Sequence, residues 1–207
     1  DRQFMPVIIQ RTDGVTRQPD DTLESAIEEG LEQLKRPAMS LILSSIAAGL
    51  IVGFSAMAVG VATTAALPYD IPLLTRLAQA LVYPFGFVIC VMSGAQLYTE
   101  HTATAVYPVL DRKASPMALL RLWSIVIVGN LIGAWIIGYL LAKVDVVVGA
   151  KAGYIAIGHH LTEYDAQTLI ISALLAGWLM ALGAWLVMAT PSGASAIHSI
   201  YIVTFLI

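Results

Sequence analysis

The chain has 207 residues, 58% hydrophobic and only 12% charged. Its mean hydropathy of +0.79 excludes an ordinary soluble domain, in which about a quarter of residues are charged. A net charge of −3 without a basic stripe excludes nucleic-acid binding by counterion release, and the single cysteine, Cys90, excludes a disulfide-built module.

Charge is concentrated at one end. Residues 1–36 hold 13 of the 25 Asp, Glu, Lys and Arg side chains, so a polar head precedes a long apolar body. The expected fold is all-α, a polytopic membrane protein. Residue 1 is Asp and the chain closes on the apolar run YIVTFLI, so it reads as a fragment of a longer protein. The mixed, acidic start lacks the basic and short apolar regions of a secretory leader, which places the head in the cytoplasm.

No element is assigned to residues 1–19. After Asp20, Asp21 and Thr22 come Leu23, Ile27, Leu31 and Leu34, with Glu24, Glu28, Glu29 and Glu32 between them, the spacing of an amphipathic helix. Asp or Thr is expected to cap its start, and Lys35 and Arg36 close it before Pro37. Packing against the rest of the protein, binding a partner and lying on the membrane surface are all open roles for this helix.

Residues 37–207 form the transmembrane domain. Crossing the hydrocarbon core takes roughly 20 apolar residues. Spans are expected at about 37–67, 77–98, 122–142 and 166–189, with a partial one at 194–207. Gly49 and Gly53, then Ala56 and Gly60, set small residues four apart in the first span, and Gly129 and Gly133 repeat the device in the third. Such spacing lets helix backbones approach closely. Residues 143–165, with Gly149, Gly153 and Gly158, read as a loop, and Thr190 to Gly193 as a turn.

The second span is interrupted. Its apolar run meets Glu100 and His101, and a short apolar piece, 102–110, follows before Asp111, Arg112 and Lys113. In one reading the helix breaks at 97–101 and these polar residues lie at membrane depth, facing protein or a cavity. In the other the helix ends at Thr99 and they sit in the interface. Five Lys and Arg residues flank the spans on the head side against three on the other, which places the N-terminus inside.

The stretch YPFGFVICVMSGAQLYT, residues 83–99, resembles the broken second helix of the formate/nitrite transporter family, with Leu97-Tyr98-Thr99 at the family's Leu-Phe-Thr motif. GNLIGA (129–134) resembles the family's third helix, and AGWLMALGAW (176–185) its fourth. The continuation EHTATAVYPV (100–109) looks closest to a less studied inner-membrane branch. The resemblance implies an aquaporin-like bundle of two inverted three-helix repeats, assembled as a homopentamer in a bacterial inner membrane, with one pore per protomer passing small monovalent weak-acid anions such as formate and nitrite. It implies constrictions at Tyr83, Phe87, Leu97 and Tyr98, and Thr99 as the partner of a histidine expected past Ile207. Three departures stand out: Tyr98 replaces a Phe, Glu163 and Asp165 lie where a Lys is usual, and Trp178 where an Asn is usual.

Asn130 is a polar pore residue or an interhelical hydrogen-bonding group. His101 reads as a structural histidine paired with Glu100, or as a stand-in proton donor. His159, His160 and Glu163 could share a metal, but adjacent histidines on a helix point apart, and no metal or cofactor is expected. Cys90 reads as a small buried hydrophobe, and the four tryptophans as packing or interface anchors. Among functions, a proton-assisted channel for weak-acid anions leads. A pore for small neutral solutes and a non-transporting scaffold are the alternatives. No nucleophile and base fall at an enzyme's spacing.

Overall fold

A computed structural model describes residues 18–190 and 192–207. The stretch before Gln18 and Pro191 of the expected turn lie outside them. The head forms α1 (Pro19–Lys35), which starts on Pro19 in the first helical position, where a missing N–H costs nothing, and carries Asp20 and Asp21 in its first turn. No side chain caps it. Its buried face is Thr22, Ala26, Gly30 and Leu34; of the expected apolar stripe Leu34 is buried, Ile27 and Leu31 are half-buried and Leu23 is exposed. The small residues win because α1 lies close against the segment that follows the break. A Cβ on Gly30 would come within 2.6 Å of the Thr104 carbonyl oxygen.

Helix α2 (Ala38–Ala66) crosses first and ends in a single 3-10 turn (Leu67–Tyr69). The second crossing returns as α3 (Pro72–Val82) and α4 (Pro84–Ser93), bent where Pro84 cannot donate to the preceding turn. Ser55 of α2 repairs that bend: its hydroxyl donates to the Tyr83 carbonyl at 2.5 Å and accepts from the Gly86 N–H at 2.8 Å. Two short helices, α5 (Tyr98–Thr104) and α6 (Tyr107–Leu110), complete the crossing.

The third crossing, α7 (Pro116–Lys143), runs parallel to α2, with Gly129 over Ser45 and Gly133 over Gly49. A Cβ built on Gly133 would stand 2.9 Å from the Gly49 Cα, so the paired small residues do what their spacing predicts. Beyond it, α8 (Asp145–Val148) and α9 (Lys151–Thr162) occupy the segment expected to be a loop. Gly153 lets α9 pack on α2, its N–H donating to Thr64 Oγ1 at 2.9 Å. Then come α10 (Ala166–Ala189), capped by Asp165, and α11 (Gly193–Leu206), capped by Ser192. Four helices among the described residues are long and apolar enough to cross a membrane, counting α3 and α4 as one, and α11 is shorter.

Candidate functional site

The interruption in the second span brings irregular backbone into the described helical bundle. Helix α4 stops at Gly94, whose φ of +66° suits glycine, and its N–H returns to the Val91 carbonyl. The chain then runs extended through Leu97, and α5 begins at Tyr98, so Thr99, Glu100 and His101 are helical. The break therefore falls at 94–97, earlier than the pattern of charges indicates, because the glycine and not the first charge ends the helix.

Hydrocarbon offers no partner for a bare backbone group, so each must be met by protein. Ser44, six residues into α2 and thus about 9 Å from its start, accepts the Gln96 N–H at 3.1 Å. Asn130 of α7 takes three more: its Oδ1 accepts the Tyr98 N–H at 2.8 Å, and its Nδ2 donates to the carbonyls of Gln96 at 2.9 Å and Ser45 at 2.8 Å. Cys90 points its Sγ at the Ala95 carbonyl, 3.8 Å away. From the head, Gln33 accepts the Gln96 side-chain amide at 2.7 Å. Three elements thus hold one loop, α1 among them through Gln33.

Alongside the break lies a narrow apolar cavity of about 20 Å³, room for little more than one water-sized molecule. Phe87 and Val91 of α4 line one wall, Met180, Gly183 and Val187 of α10 another, and Ile200 and Thr204 of α11 a third. Glu100 reaches it from α5. Glu100 is 8% exposed and its Oε2 makes no hydrogen bond among the described residues. His101 Nδ1, also without a hydrogen bond there, stands 3.9 Å from that oxygen, so the two are neighbours and not a hydrogen-bonded pair.

Of the residues expected along a pore, Phe87 (6% exposed) lines the cavity, while Tyr83 and Leu97 pack in the same cluster, the Tyr83 ring 5.0 Å from that of Phe87. Tyr98 turns instead towards Trp123, ring centroids 6.4 Å apart. Asn130 is occupied with backbone, and Thr99 is exposed. Trp178 is 73% exposed on the outer face of α10, away from the cavity. Asp165 serves the start of its own helix, where its carboxylate accepts the Thr168 N–H at 2.9 Å, and these bonds hold its pKa below the ordinary value. His159, His160 and Glu163 are exposed on and just past α9, and the described residues contain no group of three metal-ligating side chains. Sequence reasoning missed the α10 and α11 walls. Their helices are apolar all round, so periodicity does not mark an inner face.

The family model for formate/nitrite transporters matches residues 20–207. An inner membrane protein of Escherichia coli K12, YfdC, is 32% identical over 185 residues, covering 87% of this chain and 57% of that one. This chain thus spans a little over half of that relative's length. A probable formate transporter of Methanothermobacter thermautotrophicus is 33% identical over 129 residues, 61% of this chain and 46% of its own. Among solved structures, an FNT family ion channel superposes with a TM-score of 0.74 at 18% identity, over 90% of this chain and 75% of that chain. A pentameric formate channel with formate bound superposes with a TM-score of 0.69 at 24% identity, over 82% and 67%. The broken second crossing, the paired glycines of α2 and α7 and the match over nearly the whole described chain lead to one assignment: this is a membrane protein of the formate/nitrite transporter family.

Proposed function

We propose that the full protein moves small monovalent weak acids, formate and nitrite among them, across a bacterial inner membrane, and that it transports without catalysing a reaction or holding a cofactor. The single observation that carries this reading is the break at 94–97, wired from outside by Ser44 and Asn130 and bordered by an apolar cavity. A purely structural bundle has no use for irregular backbone at this depth, because a continuous helix satisfies its own hydrogen bonds. An apolar cavity also suits a weak acid better than a strong one, since burying an unpaired charge is costly and the proton can travel with the solute. Membership of the transporter family and the likeness to a pentameric formate channel support the substrate class and a homopentamer with one path per protomer.

In this reading the path follows α4 past Tyr83 and Phe87 to Leu97, with the head and the N-terminus on the cytoplasmic side. Tyr98, Thr99 and Asn130 form and flank the break. The test is uptake of formate, nitrite, glycerol and urea by proteoliposomes containing the full-length protein, beside Phe87→Trp. The expected result is anion uptake that rises on acidification and falls at least about tenfold in the variant, whose larger ring fills a cavity of one-water size. Uptake of glycerol and urea alone would replace this reading with a neutral-solute pore. No uptake by a folded protein would leave a scaffold.

A further inference from the structure

Helix α7 ends in a column of three side chains on its outer face. Trp135, Tyr139 and Lys143 follow one another four residues apart, so each stands about one turn beyond the last. The two rings stack, with centroids 6.1 Å apart and planes 19° from parallel. Lys143 Nζ lies 5.4 Å from the Tyr139 centroid, within reach of a cation–π contact. Nothing else in the described chain covers this ordered surface, since Trp135 is 72% exposed and Tyr139 55%. Among the described residues no carboxylate stands within ion-pair distance of Lys143. The nearest in sequence, Asp145, spends its Oδ1 on the Ala150 N–H at 2.9 Å. Just past Lys143 the chain also displays Val146 and Val147 of α8, 95% and 84% exposed, which marks this level as one where the neighbour is not water.

The length of α7 fixes the depth of the column. Its 28 residues rise about 42 Å, close to the full membrane thickness of about 40–45 Å with headgroups. With the Pro116 end in one headgroup layer, Lys143 lies in the other. Tyr139 then lies about 6 Å and Trp135 about 12 Å further in, at the hydrocarbon boundary and inside it. A phospholipid has the same order of chemistry along its length: a phosphate, then ester groups, then an acyl chain. A free phosphate ion would leave the rings bare. A second copy laid along the column offers Lys143 no carboxylate from its spans, because α2, α3, α4, α7, α10 and α11 carry no Asp or Glu. We propose that the outer face of α7 from Trp135 to Lys143 binds one anionic phospholipid, with its phosphate on the Lys143 ammonium and an acyl chain along the stacked rings. The charge selects the headgroup and the rings hold the tail, independently of what the pore carries.

The experiment is native mass spectrometry of the full-length protein in detergent, given equal amounts of dioleoyl phosphatidylglycerol and dioleoyl phosphatidylcholine, with retained lipids counted per chain. Wild type should retain the anionic lipid at least about tenfold over the zwitterionic one. Lys143→Gln should bring that ratio down to about one, and Lys143→Arg should keep it. Trp135→Ala should lower retention of the anionic lipid at least about threefold, through the lost contact with its tail. Lys151→Gln removes a lysine that has no ring pair beside it and should change nothing. Equal retention of the two lipids by wild type overturns the proposal, as does an unchanged ratio in Lys143→Gln. An equal loss in Lys151→Gln overturns it too, by showing diffuse attraction to surface charge. A Trp135→Ala protein that falls apart into single chains with its lipid count unchanged assigns the face to a second copy instead. If Lys143→Gln does not fold, the wild-type ratio together with Trp135→Ala still decides.

Discussion

Asn130 uses its carbonyl oxygen and one amide proton on the broken backbone at Tyr98 and Gln96, and its other amide proton on the Ser45 carbonyl of α2. Replacing it with Ala leaves the Tyr98 N–H and the Gln96 carbonyl unmet, and the expected loss is about 3 kcal/mol, since each buried unsatisfied group costs roughly 1–3 kcal/mol. Asn130→Asp keeps the acceptor for Tyr98 and should lose less at low pH. Thermal unfolding of the full-length protein in detergent measures both. Ser55 works on a smaller scale, serving the Tyr83 carbonyl and the Gly86 N–H at the Pro84 bend. Ser55→Ala should cost about 1–2 kcal/mol in the same assay.

At the scale of elements, α1 is held by close packing of small residues and by Gln33 on Gln96. Glu29 sits on its inner side, where burial and then Glu32 raise its pKa above the ordinary carboxylate value, with Glu100 facing it from α5. A raised folded pKa means stability that is present below the unfolded value, about 4.3, and lost as pH rises through the folded one. Hydrogen exchange should therefore show α1 better protected under mildly acidic conditions than under alkaline ones. Glu29→Gln should keep the protection at both.

The interruption, the paired glycines and α10 are legible in the sequence because each rests on a local signal: a charge in an apolar run, a four-residue spacing, a long uncharged stretch. The start of α5 is less legible because Gly94, one glycine among many here, sets it, while the charges draw attention further on. The inner face of α1 is only partly legible, Leu34 being buried as expected and Leu23 exposed, for a related reason. Close approach favours Thr22, Ala26 and Gly30 over the leucines, and hydrophobicity alone does not report distance. Glu100 is visible as an anomaly in the sequence, but its cavity is not, since the walls come from α10 and α11, some 80 to 100 residues later in the chain.

For the molecule as a whole, much of the apolar surface faces outward. Leu174, Leu175 and Trp178 form an exposed strip on α10, and Trp135 and Tyr139 a second on α7, as expected where lipid or another subunit takes the place of water. Leu174→Arg puts a charge near the middle of a crossing. Membrane insertion should become less favourable by about 3 kcal/mol, read as a drop in the inserted fraction in a translocation assay. The spine of α2 and α7 is less tolerant still. Gly133→Leu drives a side chain into the backbone of the facing helix and should cost about 2 kcal/mol or more, measured as loss of folded protein on size-exclusion chromatography.

The loop at 94–97 has a further property. Ser44 and Asn130 grip it by main-chain atoms alone, at Gln96 and Tyr98, and ask nothing of the side chains at 97 and 98. Its route is dictated by helices that border it, whereas the groups it displays are free to differ. Descendants of one ancestor could therefore exchange residues at 97, 98 and 100 and acquire new preferences without redrawing the backbone, while the same freedom is denied to positions 44 and 130.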